Sequence, residues 1–253
     1  METLFISDVH LSDERPEKFS LFKQLLRGPA SRAKAVYILG DLFENFWLGS
    51  DDRNSPNAEI LAELKAFTAG GNPLYLVRGN RDLMLDKGIE RLTGARFLFD
   101  LSVIELEGKP VLITHGDILC TQDVKYQRFR RFMEFPVVRW IFLHLPYGLR
   151  DRLVRCLTPA FKQSALNKRP EIMDVDTESV LRTMRNYGVD ELIHGHTHRP
   201  GIHELTIENK PARRIVLGDW YENELILVCR GPDRKLMSVR DYISSSQQSI
   251  ALT

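Results

Sequence analysis

The sequence predicts an α/β sandwich, two sheets packed together with helices outside. Three observations predict it. Short unbroken apolar runs recur along the 253 residues, helix-periodic stripes separate the first three, and the later runs come in pairs around polar turns. Unbroken β-branched and aliphatic runs, unlike alternating ones, belong to sheet covered on both faces.

The runs are TLFIS (3–7), AVYIL (35–39), PLYLV (73–77), PVLIT (110–114) and ELIH (191–194). Phe19, Phe22, Leu25 and Leu26 make a helical stripe between the first two. Ile60, Leu61, Leu64 and Phe67 make another before the third, ended by Gly70-Gly71. Strand–helix–strand–helix–strand implies parallel strands joined by right-handed crossovers. VIELEGKPVLIT and HELTIENKPARRIVLG each read as two strands about a turn, which adds antiparallel pairing. Such a mixture suits two packed sheets in layers.

Composition sets the outer bounds. Hydrophobic residues are 43% and charged residues 27%, ordinary for a globular chain, and the net charge of +1 gives no global field for nucleic acid, so none is expected as a partner. Cys120, Cys156 and Cys229 are far apart without C-x-x-C spacing. They read as small core residues in a reducing compartment. METLFISDVH lacks the basic and apolar regions of a signal peptide, and no uncharged run approaches the ~20 residues of a spanning helix. A cytoplasmic protein is expected.

Each strand run leads into a residue able to bind a metal. Asp8-Val9-His10 follows the first, Gly40-Asp41 the second and Gly79-Asn80 the third. His115-Gly116-Asp117 and Gly195-His196-Thr197-His198 follow later ones. Ligands of open α/β sheets gather at the carboxyl ends of strands. Taken singly, a D-x-H is a chance match and an Asp after a strand is a helix cap. Together in order, they read as a metal centre.

The candidate ligands are Asp8, His10, Asp41, Asn80, His115, His196 and His198. This set is too large for one ion that keeps an open position, and suits two ions roughly 3.5–4 Å apart. Asp41, alone between two ligand pairs, is the natural bridge. Imidazole and carboxylate without thiolate favour manganese, iron or zinc. Two divalent cations against two carboxylates leave net positive charge, which suits hydrolysis of a phosphate ester or anhydride by a metal-bound water.

FISDVHL, YILGDLFE, GNRD, HGD-x-LCT-x-D, IMDV, LIHGHTHRP and RRIVLGDW, in this order, resemble the UDP-2,3-diacylglucosamine hydrolases of lipid A biosynthesis, within the calcineurin-like metallophosphoesterases. The likeness covers residues 3 to about 220. It implies a four-layer α/β/β/α metallophosphoesterase sandwich with a helical lid insertion and a manganese pair. It also implies cleavage of the UDP-linked pyrophosphate to UMP and 2,3-diacylglucosamine 1-phosphate (lipid X). Asp41, Asn80, Arg81 and His115 would form the catalytic set, and Asn80, Arg81, Asp123, Lys168 and His196 would contact substrate. The chain departs from the family at Phe161 and Ala165, where Ser and Asn are usual, with Ser164 and Asn167 close by. FENFWLGSDD is longer than the family's usual F-x-x-W-I-G-D-D.

Arg81 stands where many relatives of the wider superfamily carry a histidine that protonates an alkoxide. A guanidinium, whose pKa stays above ~12, cannot do so. A pyrophosphate's leaving group is a phosphate monoester with a second pKa of roughly 6, so it needs a cation instead of a proton. The plainer alternative is an Arg81–Asp82 ion pair.

Residues 120–170 break the alternation, with eleven Lys and Arg against three acidic residues, yet contain FMEFPVVRWIFLHLPYGL. A basic, apolar segment suits a lid over acyl chains or an interfacial helix, and a helical hairpin packed on the core is the bland alternative. The lid reading leaves room for peripheral contact with the cytoplasmic face of the inner membrane. His144 reads as packing. The chain divides into a metallophosphoesterase domain over 1–242, a lid inserted at 120–173, and a polar, frayed tail over 243–253. Two other functions fit less well. A broader nucleotide pyrophosphatase or phosphodiesterase gives the apolar insertion no task, and a non-catalytic binding scaffold would have lost ligands.

Overall fold

The computed structural model describes residues 1–45, 55–166 and 174–251. The chain begins β1 (Thr3–Ile6), α1 (Pro16–Arg27), β2 (Ala35–Leu39), α2 (Ser55–Ala69) and β3 (Leu74–Val77), the alternation expected. Pro16 opens α1, where its missing N–H costs nothing, and Gly28 follows its last residue. After β3 come α3 (Gly88–Thr93), the short β4 (Arg96–Leu98), and the hairpin β5 (Ser102–Leu106) with β6 (Lys109–Thr114).

Three helices follow: α4 (Val124–Glu134), α5 (Pro136–His144) and α6 (Tyr147–Leu166). The chain returns through α7 (Thr177–Tyr187), β7 (Glu191–His194), the hairpin β8 (Gly201–Ile207) with β9 (Lys210–Val216), and β10 (Leu225–Arg230) with β11 (Asp233–Ser238). It closes with α8 (Val239–Ala251).

Two sheets result. One has the order β11-β10-β1-β2-β3-β4, the other β5-β6-β7-β9-β8. β1, β2, β3 and β4 run parallel, as do β6, β7 and β9. The antiparallel pairings of β10 with β1, β11 with β10, β5 with β6 and β8 with β9 complete them.

Strand alternation sorts side chains into three apolar layers. Leu4, Ile6, Val36, Ile38 and Leu76 pack on Phe22, Leu25, Ile60 and Leu64 of α1 and α2. Phe5, Tyr37, Leu39 and Val77 point to the other face, against Val111, Ile113, Ile193 and Ile215 of the second sheet. Leu112 and Leu192 face outward on Val180 and Met184 of α7. The layers are therefore α/β/β/α.

Two expectations need correction. The polar tail placed at 243–253 is helical through Ala251, because Val239, Tyr242 and Ile243 share one helical face and are buried on the first sheet's outer layer. Cys120 and Cys229 are buried as expected, but Cys156 is exposed on α6. No helix among the described residues is long and apolar enough to cross a membrane.

Candidate metal centre

All seven candidate ligands sit immediately beyond β1, β2, β3, β6 and β7, so the centre straddles the carboxyl edges of both sheets. Close backbone approach brings them together. A Cβ on Gly79 would lie 2.2 Å from Asp41 Oδ1, and one on Gly195 would lie 2.3 Å from Asp8 Oδ2. Only glycine fits at these two positions. Bonds then cross between the sheets: His196 N donates to Asp8 Oδ2 at 2.8 Å, and His115 Nδ1 lies 2.9 Å from the Leu39 carbonyl. Asp8, His10, Asp41, His196 and His198 all have left-handed backbone, with φ of 54°, 52°, 52°, 69° and 54°.

The ligand atoms form two groups. In the first, His10 Nε2 stands 3.9 Å from Asp8 Oδ1 and 3.7 Å from Asp41 Oδ2, and His198 Nε2 stands 3.3 Å from Asp8 Oδ1. In the second, His115 Nε2 lies 3.7 Å from Asp41 Oδ1, 3.0 Å from Asn80 Oδ1 and 3.2 Å from His196 Nδ1. Asp41 turns one oxygen to each group, the arrangement a bridging carboxylate requires. One atom each from Asp8, His10 and His198 lie within 4.8 Å of one another, and so do atoms of Asp8, Asp41 and His115.

The donors fit divalent cations. Asp8 Oδ1 and His10 Nε2 are buried without a hydrogen-bond partner. Bare buried polar atoms cost about 1–3 kcal/mol each, and a cation would satisfy both. The electrostatics agree. Burial alone would lower His115, but the Asp41, Asp8 and Asp117 carboxylates push it up to about 10. Burial alone would raise Asp8, yet the His198, His115 and His10 imidazoles hold its carboxyl well below the usual range. The pocket has the potential of a cation site.

Neighbouring groups lock the scaffold. Asp82 accepts from Leu42 N at 3.0 Å and from Gly79 N, and Arg81 N donates to Asp41 Oδ1 at 2.8 Å. Burial and the Asp41 carboxylate push Asp82 up to about 7. Asp117 accepts from the Tyr126 hydroxyl and lies 3.1 Å from Arg130 Nε. His194 is buried beside the site, bonded through Nδ1 to Gly195 O at 2.9 Å, and burial drops it to about 3.

The calcineurin-like phosphoesterase model matches residues 1–200. The UDP-2,3-diacylglucosamine hydrolase of Aeromonas hydrophila is 42% identical over 236 residues, which cover 93% of this chain and 98% of that protein. Its namesake in Pseudomonas aeruginosa is 47% identical over 220 residues, 87% of this chain and 91% of that one. The chain belongs to the UDP-2,3-diacylglucosamine hydrolase family of calcineurin-like phosphoesterases. This family is a metal-dependent hydrolase family, and two clustered donor sets accord with it.

Other expected site residues divide. The Arg81 side chain forms its ion pair with Glu44, at 3.7 Å, and not with Asp82. Asp123 is the N-cap of α4, its carboxylate accepting from Tyr126 N at 3.1 Å. His144 Nδ1 lies 2.8 Å from the Trp140 carbonyl, and its ring stacks on that indole. Lys168 and Asn167 lie outside the described residues, as do most of FENFWLGSDD and the side chains of Phe161, Ser164 and Ala165.

Three residues beside the centre have no counterpart among the candidates drawn from sequence. Glu44 Oε2 approaches His10 Nδ1 at 3.3 Å and accepts from the Tyr221 hydroxyl at 2.5 Å. Asp219 Oδ2 lies 3.8 Å from His198 Nδ1. YILGDLFE and RRIVLGDW contain Glu44 and Asp219, and the adjoining Tyr221 follows the second block. Those blocks were the available signal.

Proposed function

We propose that this chain hydrolyses the pyrophosphate bond of UDP-2,3-diacylglucosamine, giving UMP and 2,3-diacylglucosamine 1-phosphate. The single observation behind this reading is the pairing of two clustered donor groups with relatives of that name over nearly their full length. Asp8, His10, Asp41 and His198 would hold one divalent ion, and Asp41, Asn80, His115 and His196 the other. When bound, such a pair supplies an activated water and charge neutralisation. Manganese is the ion we assign.

The chain's own residues do the rest. Asp41, with one oxygen toward each group, sets their spacing. Arg81, partly exposed at the rim, offers a permanent cation to the departing phosphate, which leaves without a proton. Asn80 contributes a neutral amide where a third carboxylate would repel the anionic substrate. With Asp41 and His115, these complete the catalytic set.

The helices α4 to α6 would act as the lid. α5 has no buried residue, and Phe132, Phe135, Val137, Trp140 and Ile141 are exposed beside a cationic excess. Acyl chains would lie along that apolar surface. Asp123 and Lys168 are assigned to the substrate, and the same surface would rest on the cytoplasmic side of the inner membrane.

The test is hydrolysis of UDP-2,3-diacylglucosamine beside UDP-glucose, with manganese and with EDTA. Metal-dependent release of UMP from the lipid alone is expected. Equal turnover of both substrates would refute lipid specificity and favour a general nucleotide pyrophosphatase.

A further inference from the structure

Two features of the site are explained by none of the proposed ligand roles: how the His10 ring is kept with Nε2 inward, and what holds Arg81 beside the ions. Glu44 approaches both. Its Oε2 lies at ion-pair distance, 3.3 Å, from His10 Nδ1, a buried nitrogen that makes no hydrogen bond, and its Oε1 lies 3.7 Å from Arg81 Nη1. Among the described residues no other carboxylate is within 4.0 Å of His10 Nδ1.

The glutamate is itself fixed. The Tyr221 hydroxyl donates to Oε2, and the Tyr221 ring packs 4.9 Å from the His10 ring. Lys18 Nζ and the Arg15 guanidinium lie 3.6 and 4.5 Å from the Tyr221 ring centroid. Phe43, the residue before Glu44, is fully buried, and Glu44 N donates to Leu11 O at 3.1 Å, so the backbone around Glu44 is tied to the His10 loop. A carboxylate beside the outer nitrogen of a metal-binding histidine selects the tautomer, orients the ring and strengthens the ligand.

We propose that Glu44 is a positioning residue serving both halves of the centre: Oε2 keeps the His10 proton on Nδ1 so that Nε2 is free for the metal, and Oε1 holds the Arg81 guanidinium. The inference rests on the two-ion reading above. Tyr221, in turn, keeps the carboxylate in place. Glu44 is not itself a metal ligand here, since it faces the nitrogen of His10 that points away from Asp8 and Asp41.

The test measures manganese binding without any substrate. Metal-stripped wild type, Glu44→Ala and Glu44→Gln are titrated with manganese, and free ion is followed by electron paramagnetic resonance. Loss of an outer partner to a metal-binding histidine weakens metal affinity about 10–100-fold, and Glu44→Ala is expected to lose that much at one of the two ions. Glu44→Gln can still present an oxygen to His10 and Tyr221, so its affinity is expected within about threefold of wild type. Without the charge, however, Arg81 is unpaired, and kcat on the pyrophosphate falls while metal content holds.

A residue with only a structural role would lower the melting temperature in both variants and leave the manganese titration unchanged. Wild-type affinity in a folded Glu44→Ala protein therefore overturns the proposal. So does Glu44→Gln binding as weakly as Glu44→Ala, because charge alone would then be responsible. A wild-type chain that takes up no manganese would instead overturn the metal centre, and the proposal with it.

Discussion

Replacing Arg139 with methionine tests how the α4–α6 helices are held. Arg139 sits on α5, whose other side chains bury nothing completely. Its Nη1 donates to Leu83 O at 2.9 Å, and its Nη2 donates to Met84 O at 2.8 Å and Leu85 O at 2.9 Å. Those three residues are buried, so water cannot easily replace the guanidinium. Hydrogen bonds to a charged group are worth about 1.5–3 kcal/mol each, but three on one side chain do not add, and removing the half-buried cation also removes its desolvation cost. Burial, and then Arg78, lower the pKa of Arg139, in the direction such a cost requires. The expected net loss is about 3 kcal/mol, within the range known for breaking a buried network. For a chain of this size that is a fall in melting temperature of about 6–12 °C. Urea denaturation and calorimetry on Arg139→Met and Arg139→Lys measure it. Lysine, a point charge without the planar fork, should recover about half. A methionine variant within about 0.5 kcal/mol of wild type, the range of ordinary surface changes, would show that α5 is anchored elsewhere.

Other substitutions test the centre itself. Gly79→Ala would set a methyl 2.2 Å from Asp41 Oδ1, so Asp41 must move. A displacement of that order costs about 100-fold in kcat, checked by steady-state kinetics and bound metal; normal values for both would remove the close-approach explanation. Arg81→Ala should lower kcat/KM on the pyrophosphate about 100–1,000-fold, as for loss of one charge-stabilising donor, and lower it far less on an activated aryl phosphodiester. Equal losses on both would count against its leaving-group role. Trp140 is 60% exposed, and the proposed lid would set it against acyl chains. Trp140→Asp should raise the KM for the lipid substrate about tenfold, near 1.4 kcal/mol, and unchanged lipid kinetics in a folded variant would sink the lid.

The sheets were legible because β1, β2, β3, β6 and β7 are largely apolar runs, each leading into a glycine or a candidate metal ligand. β4 has three residues and alternating exposure, too little for a periodic signal. α8 was hidden for a related reason: its polar residues outnumber the few apolar ones, and burial of Val239, Tyr242 and Ile243 emerges only once the first sheet exists to receive them. The candidate ligands could be read from order along the chain. Glu44 and Tyr221 lie in or beside the motif blocks, but their contact could not be read, because it joins residues 177 apart that only the fold makes neighbours. Likewise, the α4 and α5 helices can be inferred from pattern, but not the Arg139 contacts to backbone carbonyls, which have no side-chain signature.

The left-handed backbone at Asp8, His10, Asp41, His196 and His198 bears on how this protein can be altered. Aspartate and histidine in that region each cost about 1–3 kcal/mol, and glycine would relieve it. The five positions together withhold an amount comparable to the whole stability of a typical domain. A library screened for heat resistance alone, without metal, would therefore drift toward glycine at these sites and return sturdier proteins with no catalytic power. Selection for robustness must keep the ions present, so that ligation offsets the strain and the functional backbone is also the stable one.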